Sequence, residues 1–167
     1  LDTLLNAYAE YQKISKLKKI RLVFLGEHRV KRNEYDSIKF FKAMRSKLVD
    51  SSFFKIIPAI YGDSKYDEIM KFDVLIQPSR TEGMPNTVLE AMSVGIPCCV
   101  SPETNMQEIL EESKGGWVIN RNVLEIKKFF LRIEEYDKDF LSEIGINGMK
   151  YAYKHLLWDN IGKIEYK

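Results

Sequence analysis

Between Asp73 and Ser101 the chain reads DVLIQPSRTEGMPNTVLEAMSVGIPCCVS. No other stretch limits the possible folds as much. Val74-Leu75-Ile76 is a short apolar run of the kind that makes a buried strand. It breaks at Gln77-Pro78-Ser79 into a polar loop. A helix is predicted from about Asn86 to Gly95, where a glycine with Pro97 two residues beyond is a stop signal. Pro97 to Val100 then returns as a second strand. Strand, loop, helix and strand in that order form a single α/β unit, and in open α/β sheets ligands bind at the C-terminal ends of the strands.

Two carboxylates stand in this unit, Glu82 in the loop and Glu90 on the helix, with seven residues between them. The helix start between them, at about Asn86 to Leu89, offers unpaired backbone N–H groups and a partial positive charge. An anion such as a diphosphate suits that spot. Glu90 lies about one turn further in, on a rigid element, where its carboxylate can accept two hydrogen bonds from a vicinal diol such as a ribose. Glu82, in a loop held by Gly83 and Pro85, can do the same for a second sugar. A helix start between two diol-gripping carboxylates describes a nucleotide-sugar site. A lone pair of glutamates at this spacing would be read as two solvated surface acids; the strand, loop and helix around this pair argue otherwise.

The rest of the chain alternates in the same way. Leu1, Leu4, Leu5, Tyr8 and Tyr11 recur at helical spacing over residues 1 to about 15. A strand follows over Ile20 to Leu25, then a basic loop from Glu27 to Asn33. Tyr35, Ile38, Phe41, Met44 and Leu48 mark a second helix. Phe53 to Ile60 reads as a strand interrupted by Pro58, and a short helix runs from about Lys65 to Lys71. Beyond the central unit come a helix over Asn105 to about Glu112 and a strand over Gly116 to Ile119. A further helix carries Leu124, Phe129, Phe130 and Ile133, with Ile126 off its apolar face. The next carries Phe140, Leu141, Ile144, Met149 and Tyr153, and Trp158 and Ile161 sit in a short tail. Such alternation predicts an α/β fold, a Rossmann-like parallel sheet with helices on both faces. One domain over residues 1–167 is the expected organisation.

Composition narrows the function. The chain has 167 residues, 45% hydrophobic and 30% charged, which is ample for a real core. A net charge of +2 gives no support to a nucleic-acid partner. No apolar run approaches the length of a membrane span. The opening Leu1-Asp2-Thr3 lacks an initiator methionine, a basic start and a signal-peptide core, so a fragment of a longer, cytoplasmic protein is expected. Cys98 and Cys99 are strand neighbours that point to opposite faces, so they are expected to be small buried hydrophobes and not a disulfide. No Asp-x-Asp and no His/Cys cluster has ligand spacing, so no metal is expected. His28, Arg29, Lys31, Arg32 and Arg80 are read as loop residues with some reach towards phosphate, His155 as a helix-end or solvent-facing side chain, and Glu108 as a sugar-facing acid or the cap of its own helix.

The run P-S-x-x-E-G-x-P-x-x-x-L-E-A-M-x-x-G-x-P, from Pro78 to Pro97, followed by Ser101 and Glu108-Ile109, resembles the signature of retaining glycosyltransferases of the two-domain GT-B fold, in particular family four. The resemblance covers nearly the whole chain as the C-terminal, donor-binding half of such an enzyme. It implies that Glu90 holds the ribose hydroxyls and that Glu82 is the catalytic-site acid holding the transferred sugar. It implies that backbone amides from Met84 through Pro85, Asn86 and Thr87 to Val88 cradle the diphosphate, with Gly83 among the donor-binding residues and Ile60 and Tyr61 beside the base. It further implies no cofactor, a nucleotide-sugar donor with UDP as the default nucleotide, and a glycan or lipid-linked acceptor bound by an N-terminal domain absent from this chain. Bacterial cell-surface polysaccharide assembly is the usual setting, with any attachment to the inner face of the membrane made through that missing domain.

Several positions depart from the family pattern. An Arg and a Lys that usually neutralise the leaving diphosphate would precede Leu1. The usual G-x-G after the first strand reads Gly26-Glu27-His28, and the later loop reads Glu103-Thr104-Asn105-Met106-Gln107 where paired glycines are common. A non-catalytic nucleotide-sugar-binding module therefore stands as an alternative to the transferase, as does an epimerase or phosphorylase of the same fold.

Overall fold

The computed structural model describes residues 1–26, 41–43 and 45–156, which fall into two compact units. Residues 1–62 with 122–135 form the first, and the second takes residues 63–121 and those from 136 on. The basic loop with His28, Arg29, Lys31 and Arg32, most of the predicted helix from Tyr35 to Leu48, and the tail with Trp158 and Ile161 lie outside the described residues.

In the first unit, α1 (Asp2–Ile14) is followed by β1 (Leu22–Leu25), a 3-10 turn (Ser51–Phe53) and β2 (Phe54–Ile57), with α5 (Val123–Ile133) packed on α1. β1 and β2 pair in parallel from Leu22–Phe54 to Leu25–Ile57. The strand predicted to continue to Ile60 stops at Ile57, immediately before Pro58, which has no N–H to donate to a ladder. The core forms where the aromatic stripe of α1 meets α5. Tyr8 and Tyr11 stack at 5.8 Å, and each ring centroid lies 5.6 Å from that of Phe130. On α5 the buried residues are Ile126, Phe129 and Phe130, whereas Leu124 is 53% exposed. This corrects the expected face. Ile126, Phe129, Phe130 and Ile133 follow the i, i+3, i+4, i+7 rule, and Leu124, two residues earlier, points away.

The hydroxyls of this core are all used. The single proton of the Tyr8 hydroxyl is shared between the carbonyl oxygens of Ile20 (2.8 Å) and Phe53 (3.1 Å), fastening α1 to the segments before both strands. Burial pushes its phenol up to about 12. Tyr11 and Ser15 both donate to Oε2 of the buried Glu134, at 2.6 and 2.7 Å, and the Tyr11 oxygen accepts from the Ile20 amide at 3.3 Å. A Tyr11→Phe variant leaves the buried carboxylate with one donor fewer and the Ile20 amide without its acceptor. It is expected to lower stability in urea denaturation by about 2 kcal/mol.

The second unit contains α2 (Ser64–Ile69), β3 (Leu75–Gln77), α3 (Asn86–Ser93), β4 (Cys98–Val100), a 3-10 turn (Pro102–Thr104), α4 (Gln107–Ser113), β5 (Gly116–Val118) and α6 (Lys138–Tyr151), which ends in a π-helical turn over Ala152–Leu156. The strands are parallel in the order β3-β4-β5, with Leu75, Cys98 and Gly116 in register. β4 is the middle strand, and all three of its residues are buried. Cys98 and Cys99 are buried and not joined in a disulfide, and burial alone pushes the Cys98 thiol up. The α/β class and the parallel strands flanked by helices are as the sequence predicts.

α3 ends in the manner its sequence signals. Gly95 adopts φ +76°, the Gly95 amide bonds the Met92 carbonyl and the Ile96 amide reaches back to Ala91, which is the paired bonding of a Schellman stop. The helix expected from Asn105 begins two residues late. Pro102–Thr104 forms a 3-10 turn and Asn105 is left-handed (φ 55°, ψ 23°), a conformation asparagine tolerates better than most residues.

Candidate functional site

The loop between β3 and α3 is tied down at nearly every polar atom near Glu82. Ser79 Oγ donates to Glu82 Oε1 at 3.1 Å. The Ser79 carbonyl in turn accepts from the buried Ser101 hydroxyl at 2.8 Å. The Glu82 amide donates to the Glu103 carbonyl at 3.0 Å, and Asn105 Nδ2 donates to the Glu82 carbonyl at 2.9 Å. The loop after β4 thus grips the loop after β3 at Glu82 itself. Thr104, also buried, closes the second loop with a 2.7 Å bond to the Ser101 carbonyl. Sequence reading treats residues 103–107 only as a loop without the family's paired glycines, leading into a helix at Asn105. The left-handed Asn105 that braces Glu82 has one sequence signal, an asparagine placed where glycines are common.

Past Glu82, Gly83 and Met84 are exposed and Pro85 is buried. Pro85 is the N-cap of α3, with extended backbone and no side-chain cap. Its carbonyl accepts from the amides of Val88 (3.0 Å) and Leu89 (3.3 Å). Of the expected amide cradle, Val88 is therefore engaged in the helix and buried, while Asn86 and Thr87 are exposed in the first turn. Fixed N–H groups at an uncapped helix start attract anions.

Glu90 lies in the next turn of α3. Its Oε1 is 2.6 Å from Nζ of Lys65, the second residue of α2. Both side chains are partly covered, and the Glu90 carboxylate holds the Lys65 ammonium above the usual lysine range. The sequence gives no warning of this pair, because 25 residues separate its partners.

The remaining predicted residues are placed as follows. Ile60 and Tyr61 follow β2 in the first unit, Ile60 half-buried and Tyr61 76% exposed. Glu108 is exposed in the first turn of α4, where a carboxylate complements the helix dipole. Arg80 is exposed. His155 lies in the π-helical turn, 4.5 Å from the Tyr151 ring. Among the described residues no group of three His, Cys, Asp or Glu side chains could hold a metal ion, and no helix is long and apolar enough to cross a membrane.

Residues 1–135 match the family model described as glycosyl transferases group 1. Proteins of Salmonella typhimurium and Escherichia coli K12, both provisionally described as a colanic acid biosynthesis glycosyltransferase (WcaL), are each 38% identical over 56 residues, a match that spans 30% of this chain and 14% of theirs. Among solved structures, sucrose-phosphate synthase from Thermosynechococcus elongatus superposes with a TM-score of 0.80 at 15% identity, over 98% of this chain and 41% of that one. WaaG, a glycosyltransferase involved in lipopolysaccharide biosynthesis, superposes with a TM-score of 0.65 at 16% identity, over 95% of this chain and 50% of that one. The C-terminal domain of a group 1 family glycosyl transferase (LpcC) from Francisella tularensis gives 0.62 at 14% identity, over 90% of this chain and 93% of that domain. The chain thus spans about half or less of the longer proteins it resembles. At these identities the structural likeness speaks for the fold.

Proposed function

From the premise that this chain belongs to the group 1 glycosyl transferases, we propose that residues 1–167 act together as the donor-binding domain of a retaining, metal-independent enzyme. The enzyme transfers a hexose-type sugar from a nucleotide-diphosphate sugar, with UDP as the default nucleotide, to a glycan or lipid-linked acceptor. One observation carries the reading: two carboxylates, Glu82 and Glu90, flank an uncapped helix start whose first residues, Asn86 and Thr87, are exposed. Glu90 takes the ribose diol, the start of α3 takes the diphosphate with Gly83, Met84 and Pro85 shaping the approach, and Glu82 takes hydroxyls of the transferred sugar.

The reaction passes through an oxocarbenium-like state while negative charge grows on the departing diphosphate. Dipoles fixed before the reaction stabilise that charge without reorganising, and a donor held at both ends is positioned for attack. The acceptor binds to a further domain of the same protein, through which any contact with the inner face of the membrane is made, and the enzyme works in the cytoplasm on a cell-surface polysaccharide. By itself the chain binds donor without turning it over.

Calorimetric titration with UDP, GDP and ADP tests the reading. One of the three is expected to bind, and Glu90→Ala is expected to weaken it about tenfold or more, since it removes acceptors for two hydroxyls. Binding that survives Glu90→Ala unchanged would remove Glu90 from the site. No binding by any of the three would point to a module that has lost the donor.

A further inference from the structure

We propose that Lys65 is a positioning residue for nucleotide recognition, acting through Glu90: its ammonium fixes the carboxylate in the orientation that receives the ribose diol. The proposal rests on the reading of Glu90 given above and adds a residue from a different helix to it.

Three observations carry it. The 2.6 Å contact joins α2 to α3, so one end of the carboxylate is anchored to an element other than its own helix. The pair is neither open to solvent nor sealed: the Lys65 and Glu90 side chains are 29% and 22% exposed. Lys65 has a second contact, with Nζ 5.3 Å from the centroid of the Tyr66 ring.

The chemistry allows lysine and diol together. A carboxylate has about four acceptor positions, and Lys65 takes one of them on Oε1, leaving enough for two hydroxyls. An unanchored glutamate side chain surrenders rotamer freedom when it binds. Lys65 has already imposed that order, so the diol meets a preorganised acceptor. The Glu90 carboxylate raises the affinity of Lys65 for its proton, so the lysine meets it as an ammonium. An ion pair this accessible adds little to fold stability, so its loss should register in recognition and not in unfolding.

The test titrates the binding nucleotide, UDP by default, and its 2′-deoxy counterpart into wild type, Lys65→Met, Lys65→Arg, Glu90→Gln and the Lys65→Met/Glu90→Gln double variant, with a thermal melt of each. Lys65→Met is expected to weaken UDP about tenfold, to weaken 2′-deoxy-UDP less, and to leave the melting midpoint in place. Lys65→Arg should recover most of the affinity, because it restores a cation that can reach the same oxygen. In the Glu90→Gln background the lysine substitution should add nothing. If Lys65→Met binds UDP like wild type while Glu90→Gln does not, the positioning role is wrong and the reading of Glu90 stands. An equal loss with and without Glu90 means that Lys65 touches the nucleotide directly, which also overturns the proposal. If wild type binds none of UDP, GDP and ADP, the reading of Glu90 fails and the proposal goes with it.

Discussion

Gly145→Ala is expected to destabilise the second unit by about 2–3 kcal/mol in chemical denaturation, although alanine is the better helix former. Gly145 is buried in α6 at the point where the helix crosses the Gly95 stop of α3. A Cβ there would collide with the Gly95 carbonyl oxygen and sit 3.0 Å from Pro97 Cδ. Neither neighbour is the far end of a flexible side chain. Gly95 is held in the left-handed region by its place in the Schellman stop, so α6 must back away. Backing away also opens the second close approach, three residues on, where Gly148 meets Gly115. Alanine gains about 1 kcal/mol of helix propensity over glycine in an exposed helix, and the lost packing outweighs it. Gly83→Ala is the control: a Cβ at Gly83 meets nothing within 4 Å, and a change of no more than about 0.5 kcal/mol is expected. A Gly145→Ala variant as stable as wild type would mean that α6 does not rest on Gly95.

What the sequence discloses and what it withholds separate along physical lines. The signals that identify β3, α3 and β4 are local: an apolar run, a loop with proline and glycine, and a helix stop with proline beyond it. The structure places these elements at Leu75–Gln77, Asn86–Ser93 and Cys98–Val100, within two residues of expectation. Where a single residue has two local preferences, the expectation drifts. Asn105 can open a helix or turn left-handed, and its bond to the Glu82 carbonyl accompanies the second choice. Leu124 and Ile126 are equally apolar, and it is spacing that separates them: Ile126 stands at i, i+3, i+4 and i+7 with Phe129, Phe130 and Ile133 and is buried against α1, whereas Leu124 falls off that stripe. Close approaches are quieter still. Gly145 and Gly148 break the apolar stripe of α6, and nothing local shows that two other glycines lie opposite them.

The same division runs through the candidate site. Glu82 and Glu90 stand out by spacing and surroundings, because both belong to one continuous motif. Ser79, which touches the Glu82 carboxylate, belongs to that motif too, but the groups that brace its loop and anchor Glu90 come from outside it: Ser101 on the Ser79 carbonyl, Asn105 on the Glu82 carbonyl, and Lys65 of α2 on the Glu90 carboxylate. A motif singles out the candidate atoms for a ligand; what keeps those atoms in place is set by tertiary contacts.

That distinction gives the largest functional effect expected of any substitution here. Glu82→Gln, assayed in the chain joined to the acceptor-binding domain proposed above, is expected to lower sugar transfer about 10²–10³-fold, the range for losing one preoriented electrostatic group. Nucleotide affinity should stay within about threefold, because the ribose and diphosphate contacts assigned to Glu90 and α3 are untouched. The substitution is chosen to spare the fold. Glutamine keeps the shape of the side chain and an acceptor for Ser79 Oγ, while the amide and carbonyl of residue 82 keep their bonds to Glu103 and Asn105. What disappears is the charge and one acceptor oxygen, the two properties that matter to sugar hydroxyls and to an oxocarbenium-like centre. Ser79→Ala leaves the charge and removes only the contact that aims it, so a smaller loss, about tenfold, is expected. Comparing turnover at saturating donor with UDP affinity for both variants separates the alternatives. Equal losses in the two quantities would make Glu82 a brace for the loop and not a group that meets the transferred sugar.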